Sequence, residues 1–317
     1  MTLAQDIKDK ALQLGFDLVG ITDASPLDSE QFEFFTDWLA LGFAAQMDYM
    51  RNNLDKRTNP AKLLKNAQSV ICLALNYTPP KIKKAPAASA TPSGTVANYA
   101  QYEDYHHFIK KQLRQLTDFI SSITDVDVKF KICVDSARLA ERALAARAGL
   151  GFIGKNHMLI NPRLGSKLFL AEIVTTLELP ADLPIETNCA NCNKCLDACP
   201  AGALRCDGQF DANKCISYLT IEYKGQFPPD LSDKIGNHLF GCDECVLACP
   251  HNANAPVCKN KEFRFFPDRA EIDLHRILDM TEDEFEIEFA DSPFLRLGLE
   301  RLKRNARTCL NNLHRRI

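Results

Sequence analysis

No stretch of about 18 apolar residues occurs in this chain, and the N-terminal segment, with Asp6, Lys8, Asp9 and Lys10, has no apolar run of the kind a secretory leader needs. A membrane span and export are therefore not expected, and the sequence reads as cytosolic. Charge of one sign is also missing. Lys and Arg total 38 against 41 Asp and Glu, a formal charge of -3, so the whole molecule does not advertise nucleic acid and only local segments can. Disulfide staples are not needed, because 317 residues of 46% hydrophobic composition can bury a core for one large domain or two ordinary ones. What is abundant is cysteine, with thirteen. In a reducing compartment a cysteine-rich segment points to metal rather than to disulfides.

The first part of the chain, residues 1–180, alternates helix and strand patterns and predicts an α/β (α+β) domain. A periodic stretch from Leu3 to Leu14 stops at Gly15 and gives way to a strand over Asp17 to Thr22. Further strands are predicted at Ser69 to Leu75, Val128 to Val134 and Leu168 to Thr176, and helices at Asp104 to Ser121 and Ser136 to Ala148. Residues 79–98, rich in Pro, Ala, Ser and Thr, bury too little apolar surface to offset ordering entropy and predict a mobile surface loop. Residues 181–262 form a cysteine-rich module expected to fold around its metals. Residues 263–317 form a helical tail, acidic from Glu271 to Glu288 and then basic, with Arg296, Arg301, Lys303, Arg304, Arg307, Arg315 and Arg316 against Glu300.

Cys189, Cys192, Cys195 and Cys199, followed by Pro200, follow the bacterial ferredoxin run C-x2-C-x2-C-x3-C-P. Three close thiolates wrap one cubane while the fourth reaches a neighbouring one. Cys242, Cys245 and Cys249 with Pro250 repeat the last three positions, but Leu239 stands where the first cysteine belongs. Crossed ligation gives Cys189, Cys192, Cys195 and Cys249 to one [4Fe-4S] cluster, and Cys199, Cys242, Cys245 and one borrowed cysteine to the other. Cys215, which precedes an apolar run, is the choice over Cys206 at a turn and Cys258 beyond the motif. Cys72 and Cys133 fall in predicted strands and read as small buried hydrophobes, as do Cys206, Cys258 and Cys309. A four-thiolate zinc site from Cys189, Cys192, Cys242 and Cys245 is the plainer alternative. It leaves Cys195, Cys199 and Cys249 unexplained.

A ferredoxin needs little beyond its clusters, so the segment before them implies a second cofactor or a substrate. Asp135 stands between the strand ending at Val134 and the helix expected from Ser136, a junction where α/β proteins place ligands. An N-cap role is the equal alternative. Gly149, Gly151 and Gly154, followed by Lys155 and Asn156, match G-x-G-x-x-G, but they follow a helix rather than a strand. A helix C-cap at Gly149 or a turn that approaches a flat cofactor remains open.

These motifs together resemble the epoxyqueuosine reductases, cobalamin-dependent iron-sulfur enzymes that complete queuosine in tRNA. The resemblance runs through Met47 to Met50, Arg57 to Leu64, Ser69 to Tyr77, Asp104 to His106, Val134 to Ala145, Gly149 to Ile160 and Gly165 to Ile173. It is strongest at Cys189 to Pro200 and Cys215 to Pro250, and it supports Cys215 as the borrowed ligand. It implies a cobalamin-binding catalytic domain over 1–180, a two-cluster module over 181–262 and the start of a helical-repeat extension over 263–317. It implies Asp135 as proton donor, with Arg57, Asp135, Lys155, Asn156, Ser166, Phe169 and Ser217 around the corrin. His106, Lys224, Arg301 and Arg304 would face the tRNA. The basic tail is otherwise an ordinary solvated helix face. Arg138 replaces a usual proline and Ala171 a usual glycine, and only the beginning of the extension is present.

The implied reaction is the two-electron removal of the epoxide oxygen at the wobble base. Electrons from an external low-potential donor would pass through the clusters to cobalamin, in a monomer that needs no membrane. A corrinoid reductive dehalogenase and a non-catalytic ferredoxin-type carrier are the rival readings. The cytosolic character and basic tail argue against the first, and cobalamin retention would separate the second.

Overall fold

A computed structural model describes residues 2–81 and 91–315. Nine strands are described: β1 Leu18–Asp23, β2 Ser69–Asn76, β3 Ser93–Val96, β4 Phe130–Cys133, β5 Phe152–Ile153, β6 Leu159–Ile160, β7 Leu168–Thr175, β8 His238–Phe240 and β9 Glu271–Asp273. The main sheet runs in the order β1-β2-β7-β4, and every neighbouring pair in it is antiparallel. Both central strands are apolar almost throughout. Every residue of β2 is buried, as its unbroken run Val70 to Leu75 requires of a strand covered on both faces.

On one face pack the helices Leu3–Gln13 and Tyr105–Ser122, with Ile7, Ala11, Ile109, Leu113, Leu116 and Ile120 against Ile71, Leu73 and Ile173. The spacing of Ile109, Leu113, Leu116 and Ile120 is that of one helical stripe. Each fully buried Ile or Leu contributes about 1.5–3 kcal/mol. The opposite face is covered by the helix Glu141–Arg147 through Leu144 and Ala145, packed near Val70, Cys72, Ala74 and Val174.

A second, three-stranded sheet places β3 between β8, parallel to it, and β9, antiparallel. It interleaves the three segments that the sequence divides at residues 180 and 262. Helices at Leu274–Asp279, Glu282–Glu288, Phe294–Leu297 and Leu299–His314 close over this sheet around Phe240, Phe285, Phe289 and Phe294.

Three expectations change. The predicted loop 79–98 is not loop throughout, since Ser93–Val96 is the middle strand of the second sheet; its residues 82–90 lie outside the described residues. The helix expected from Ser136 begins at Glu141, so residues 136–140 are loop and Ala140 is the N-cap position. Because the main sheet is antiparallel, Asp135 owes its position to an edge-strand loop and not to the strand-helix crossover of a parallel sheet.

Candidate functional site

Asp135 follows β4, the edge strand, in a left-handed backbone conformation with φ +50°. A non-glycine residue holds such a conformation only where its surroundings fix it. Here its N–H donates to Glu141 Oε1 at 2.6 Å. The N-cap alternative falls, because Asp135 caps no helix.

Its side chain turns instead toward the helix Tyr105–Ser122. Asp135 Oδ2 accepts from the Tyr105 hydroxyl at 2.8 Å and lies 3.0 Å from His106 Nε2. The other ring nitrogen, Nδ1, is 2.8 Å from Asp104 Oδ1, and Asp104 also caps the helix by accepting from the His106 N–H at 2.9 Å. Arg296 closes the group from the C-terminal part of the chain, its Nη2 donating to Asp104 Oδ2 at 3.0 Å and its guanidinium lying against the imidazole. Each ring nitrogen thus has a carboxylate oxygen, which favours a proton there, and an Arg296 nitrogen, 3.0 Å from Nε2 and 2.6 Å from Nδ1, which opposes it.

The electrostatics agree. Burial disfavours charge on His106, but its hydrogen bonds to Asp104 and Asp135 outweigh burial and raise its pKa. Burial works to raise Asp104 and Asp135, and their bonds to His106, with that of Tyr105 to Asp135, pull both below the usual carboxylate range. The side chain of Asp135 is 54% exposed, so solvent damps its shift, whereas that of His106 is 4% exposed. The result is an open carboxylate backed by a buried imidazole that holds its proton more tightly than a free one does.

Behind it lies a second acidic pair. Glu172, in the middle of β7, is fully buried, and neither of its oxygens meets a donor. Burial first, and then the facing charges, push Glu141 and Glu172 upward. The charge of each disfavours that of the other, so the pair takes up a proton more readily than a free carboxyl does.

The open face around Asp135 carries Tyr49, 50% exposed, whose hydroxyl is in electrostatic reach of Glu222, Asp135 and Arg57. Burial raises that hydroxyl to about 12. Arg57 donates from Nη2 to the Tyr49 carbonyl at 3.4 Å, and its Nε is buried without a partner. An exposed ring and an orphaned donor beside a carboxylate fit a broad, amide-fringed ligand such as cobalamin.

The cysteines form two groups. Cys189, Cys192, Cys195 and Cys249 line one small cavity with Lys155, Asn156 and His251. Cys215 is in electrostatic reach of Cys199, Cys242 of Cys215, and Cys245 of all three. Burial, then neighbouring thiols, raises Cys245, while burial alone dominates at Cys242, pushed up to about 12. Thiols this desolvated ionise when iron takes the proton's place. Among the described residues no three metal-ligating side chains converge tightly enough for one metal ion, and a four-iron cubane spreads its thiolates wider than a single tetrahedral ion does. Leu239, at the place of the absent cysteine, is a fully buried core residue of β8.

Other sequence-predicted residues divide. Phe169 stacks on Tyr105 and packs against Tyr77 beneath the Asp135 group. Ser217 directs its N–H toward Cys215. Lys155 serves the first thiol group, its N–H donating to Cys189 Sγ at 3.4 Å and its Nζ to Ala190 O and Asn193 Oδ1. Asn156 spans to the Cys245 carbonyl at 3.4 Å. The hydroxyl and amide of Ser166, which is buried, are taken up by Asn252. Lys224 is exposed.

Arg304 is not a surface contact. It is 6% exposed and donates to the carbonyls of Leu219, Tyr223 and Gly225. Arg301 likewise spends its guanidinium on the carbonyls of Ile221, Arg296 and Leu297. The basic helix is a structural strut, since its charge carries hydrogen bonds to the backbone beyond Cys215. Cys206 is exposed, not a buried hydrophobe. Gly149, with φ +77°, ends the helix Glu141–Arg147, and a Cβ there would meet the Leu183 carbonyl at 2.5 Å, so the C-cap reading holds.

Sequence reasoning missed Asp104, Tyr105 and Arg296 as partners of Asp135, and it missed the Glu141–Glu172 pair. A glutamate inside the apolar run Leu168–Thr175 was the available signal for the pair.

Residues 57–136 match the family described as "Epoxyqueuosine reductase QueG, DUF1730", and residues 188–252 match a 4Fe-4S double cluster binding domain. The latter makes the cysteine segment a carrier of two [4Fe-4S] clusters. An epoxyqueuosine reductase of Pseudomonas aeruginosa is 39% identical over 98% of this chain and 85% of its own length. That of Escherichia coli is 36% identical over 98% and 81%. A solved epoxyqueuosine reductase with a tRNA-Tyr epoxyqueuosine-modified tRNA stem loop has a TM-score of 0.91 at 35% identity, covering 98% of this chain and 81% of that one. The structure of epoxyqueuosine reductase from Streptococcus thermophilus gives 0.87 at 30% identity, over 99% and 82%. With this identity spread over nearly its whole length, the chain belongs to the epoxyqueuosine reductase family.

Proposed function

We propose that this chain reduces epoxyqueuosine at the wobble position of tRNA to queuosine, with cobalamin bound on the open face around Asp135 and electrons delivered by the two clusters. The net change takes two electrons and two protons, breaks both carbon-oxygen bonds of the epoxide, releases water and leaves a carbon-carbon double bond. When bound, cobalamin would supply low-potential reducing chemistry at the ring. Arg57, Phe169, Asn156 and Ser217 are the residues assigned to its surroundings.

The observation that carries this reading is the open Asp135 carboxylate with the His106 imidazole hydrogen-bonded behind it. A lowered pKa leaves Asp135 ionised at rest, so the proton it gives to the departing oxygen is drawn from His106, 3.0 Å away, whose charge Asp104 and Tyr105 help to position. Cluster ligation follows the two thiol groups: Cys189, Cys192, Cys195 and Cys249 for one, Cys199, Cys215, Cys242 and Cys245 for the other. The second group lies toward the reacting face, because Glu222, just beyond the helix that Cys215 opens, is in electrostatic reach of Asp135. An external low-potential donor and a cytoplasmic monomer complete the proposal.

Anaerobic incubation with cobalamin, a low-potential reductant and tRNA bearing epoxyqueuosine, followed by nucleoside mass analysis, should show loss of one oxygen. Unchanged nucleoside in a protein loaded with both clusters and cobalamin defeats the assignment.

A further inference from the structure

With Arg301 and Arg304 committed to backbone carbonyls, the basic tail offers an RNA less charge than its composition suggests, and a second concentration of positive charge stands out. Beside the edge strand β4 is a cavity of about 400 Å³ whose rim carries Lys56, Lys62, Lys110, Lys131 and Arg138, and no carboxylate lines it. None of these five cations takes part in a salt bridge among the described residues. Five like charges around one concavity repel each other and are stabilised when an anion enters. The cations come from four separate parts of the chain: the helix Leu54–Thr58, the turn Pro60–Lys62, the helix Tyr105–Ser122, and β4 with the loop after it. An extended polyanion engages such a spread better than a single small ion does.

The lining holds no aromatic side chain, so bases have nothing to stack on there, and the chemistry presented is that of phosphate contact. Its wall includes Val134 and Ser136, the two residues that flank Asp135. We propose that this pocket holds the phosphodiester backbone of the RNA beside the reacting nucleotide. This rests on the reading of tRNA as substrate. The nucleotide loop of cobalamin also contains a phosphodiester, so the test separates the two.

The test uses full chain carrying both clusters, the double variant Lys110→Gln/Lys131→Gln, and a synthetic anticodon stem-loop RNA followed by fluorescence anisotropy across a salt series. Binding should weaken at least tenfold at low salt, and the slope of log affinity against log salt should shrink by roughly 0.7 per lysine removed. Lys110→Arg/Lys131→Arg should restore both. Cobalamin and iron per chain should match the parent protein. Unchanged affinity and slope overturn the proposal, as does loss of cobalamin with RNA binding intact, which would give the pocket to the corrinoid. Should the parent fail to convert epoxyqueuosine while the double variant still loses stem-loop affinity, the proposed activity falls and the pocket stands.

Discussion

The cysteine segment and the Asp135 group, the proposed electron and proton halves of one reduction, are built in opposite ways. All eight proposed cluster ligands lie between Cys189 and Cys249, on short helices and turns whose spacing is local. The proton group joins Asp104 and His106 at a helix start to Asp135 on an edge-strand loop and to Arg296, 190 positions from His106. An electron tolerates variation in distance and orientation, so a sequence pattern that brings thiolates near each other suffices. A proton moves only along hydrogen bonds of the right length, and those need a rigid scaffold on both sides.

Substitutions should separate the two halves. Asp135→Asn, which keeps the shape and removes the transferable proton, should lower turnover by about 10² to 10⁴-fold with iron and cobalamin content unchanged. Loss of iron in that variant would show that the two regions are not independent. Cys215→Ser or Cys242→Ser should do the converse, cutting iron to near half of the parent while the absorbance of retained cobalamin persists. Cys206→Ser should leave both untouched, and an iron loss there instead of at Cys215 would reassign the borrowed ligand.

Arg304→Ala removes a buried guanidinium that holds three carbonyls. It should cost about 1–3 kcal/mol in denaturant unfolding, the penalty of leaving buried acceptors unpaired, with the salt slope of RNA binding preserved. The smallest effect concerns pH. His106 has a raised folded pKa, so its stabilisation is fully present below the unfolded value, about 6.5, and is lost as pH rises through the folded one. The stability gap between parent and His106→Gln should therefore shrink from pH 6 to pH 9. A gap that widens would mean that the ring is neutral in the folded protein.

Much of this was legible in the sequence, for identifiable reasons. β2 and β7 announce themselves as unbroken apolar runs, and the helix Tyr105–Ser122 by its stripe and its Asp104 cap. The spacing of the two C-x2-C runs points to seven of the cysteines, whereas Cys215 is chosen by the apolar run after it and by the family resemblance. The start of the helix at Glu141 did not, because residues 136–140 have no helix-breaking residue and are held open by long-range bonds such as that of the Ala140 N–H to the Arg57 carbonyl. Ser93–Val96 was hidden by its composition. It becomes a strand only because β8 and β9, far away in sequence, supply its hydrogen bonds. The tail misled most. A cluster of arginines looks the same whether it faces solvent or carbonyl oxygens, and only tertiary structure distinguishes the two.

The helix Leu299–His314 holds the backbone just past Cys215 through Arg304 and Asn305, bonds that span 79–85 positions. Asn305 also donates to the Leu239 carbonyl, three residues before Cys242. A nascent chain thus emerges with every cluster cysteine translated before the strut that frames Cys215 and Cys242 exists. A chain halted before residue 299 would therefore hold all eight proposed cluster cysteines and none of these bonds, and its iron content against that of the full chain measures how far the second thiol group depends on the strut.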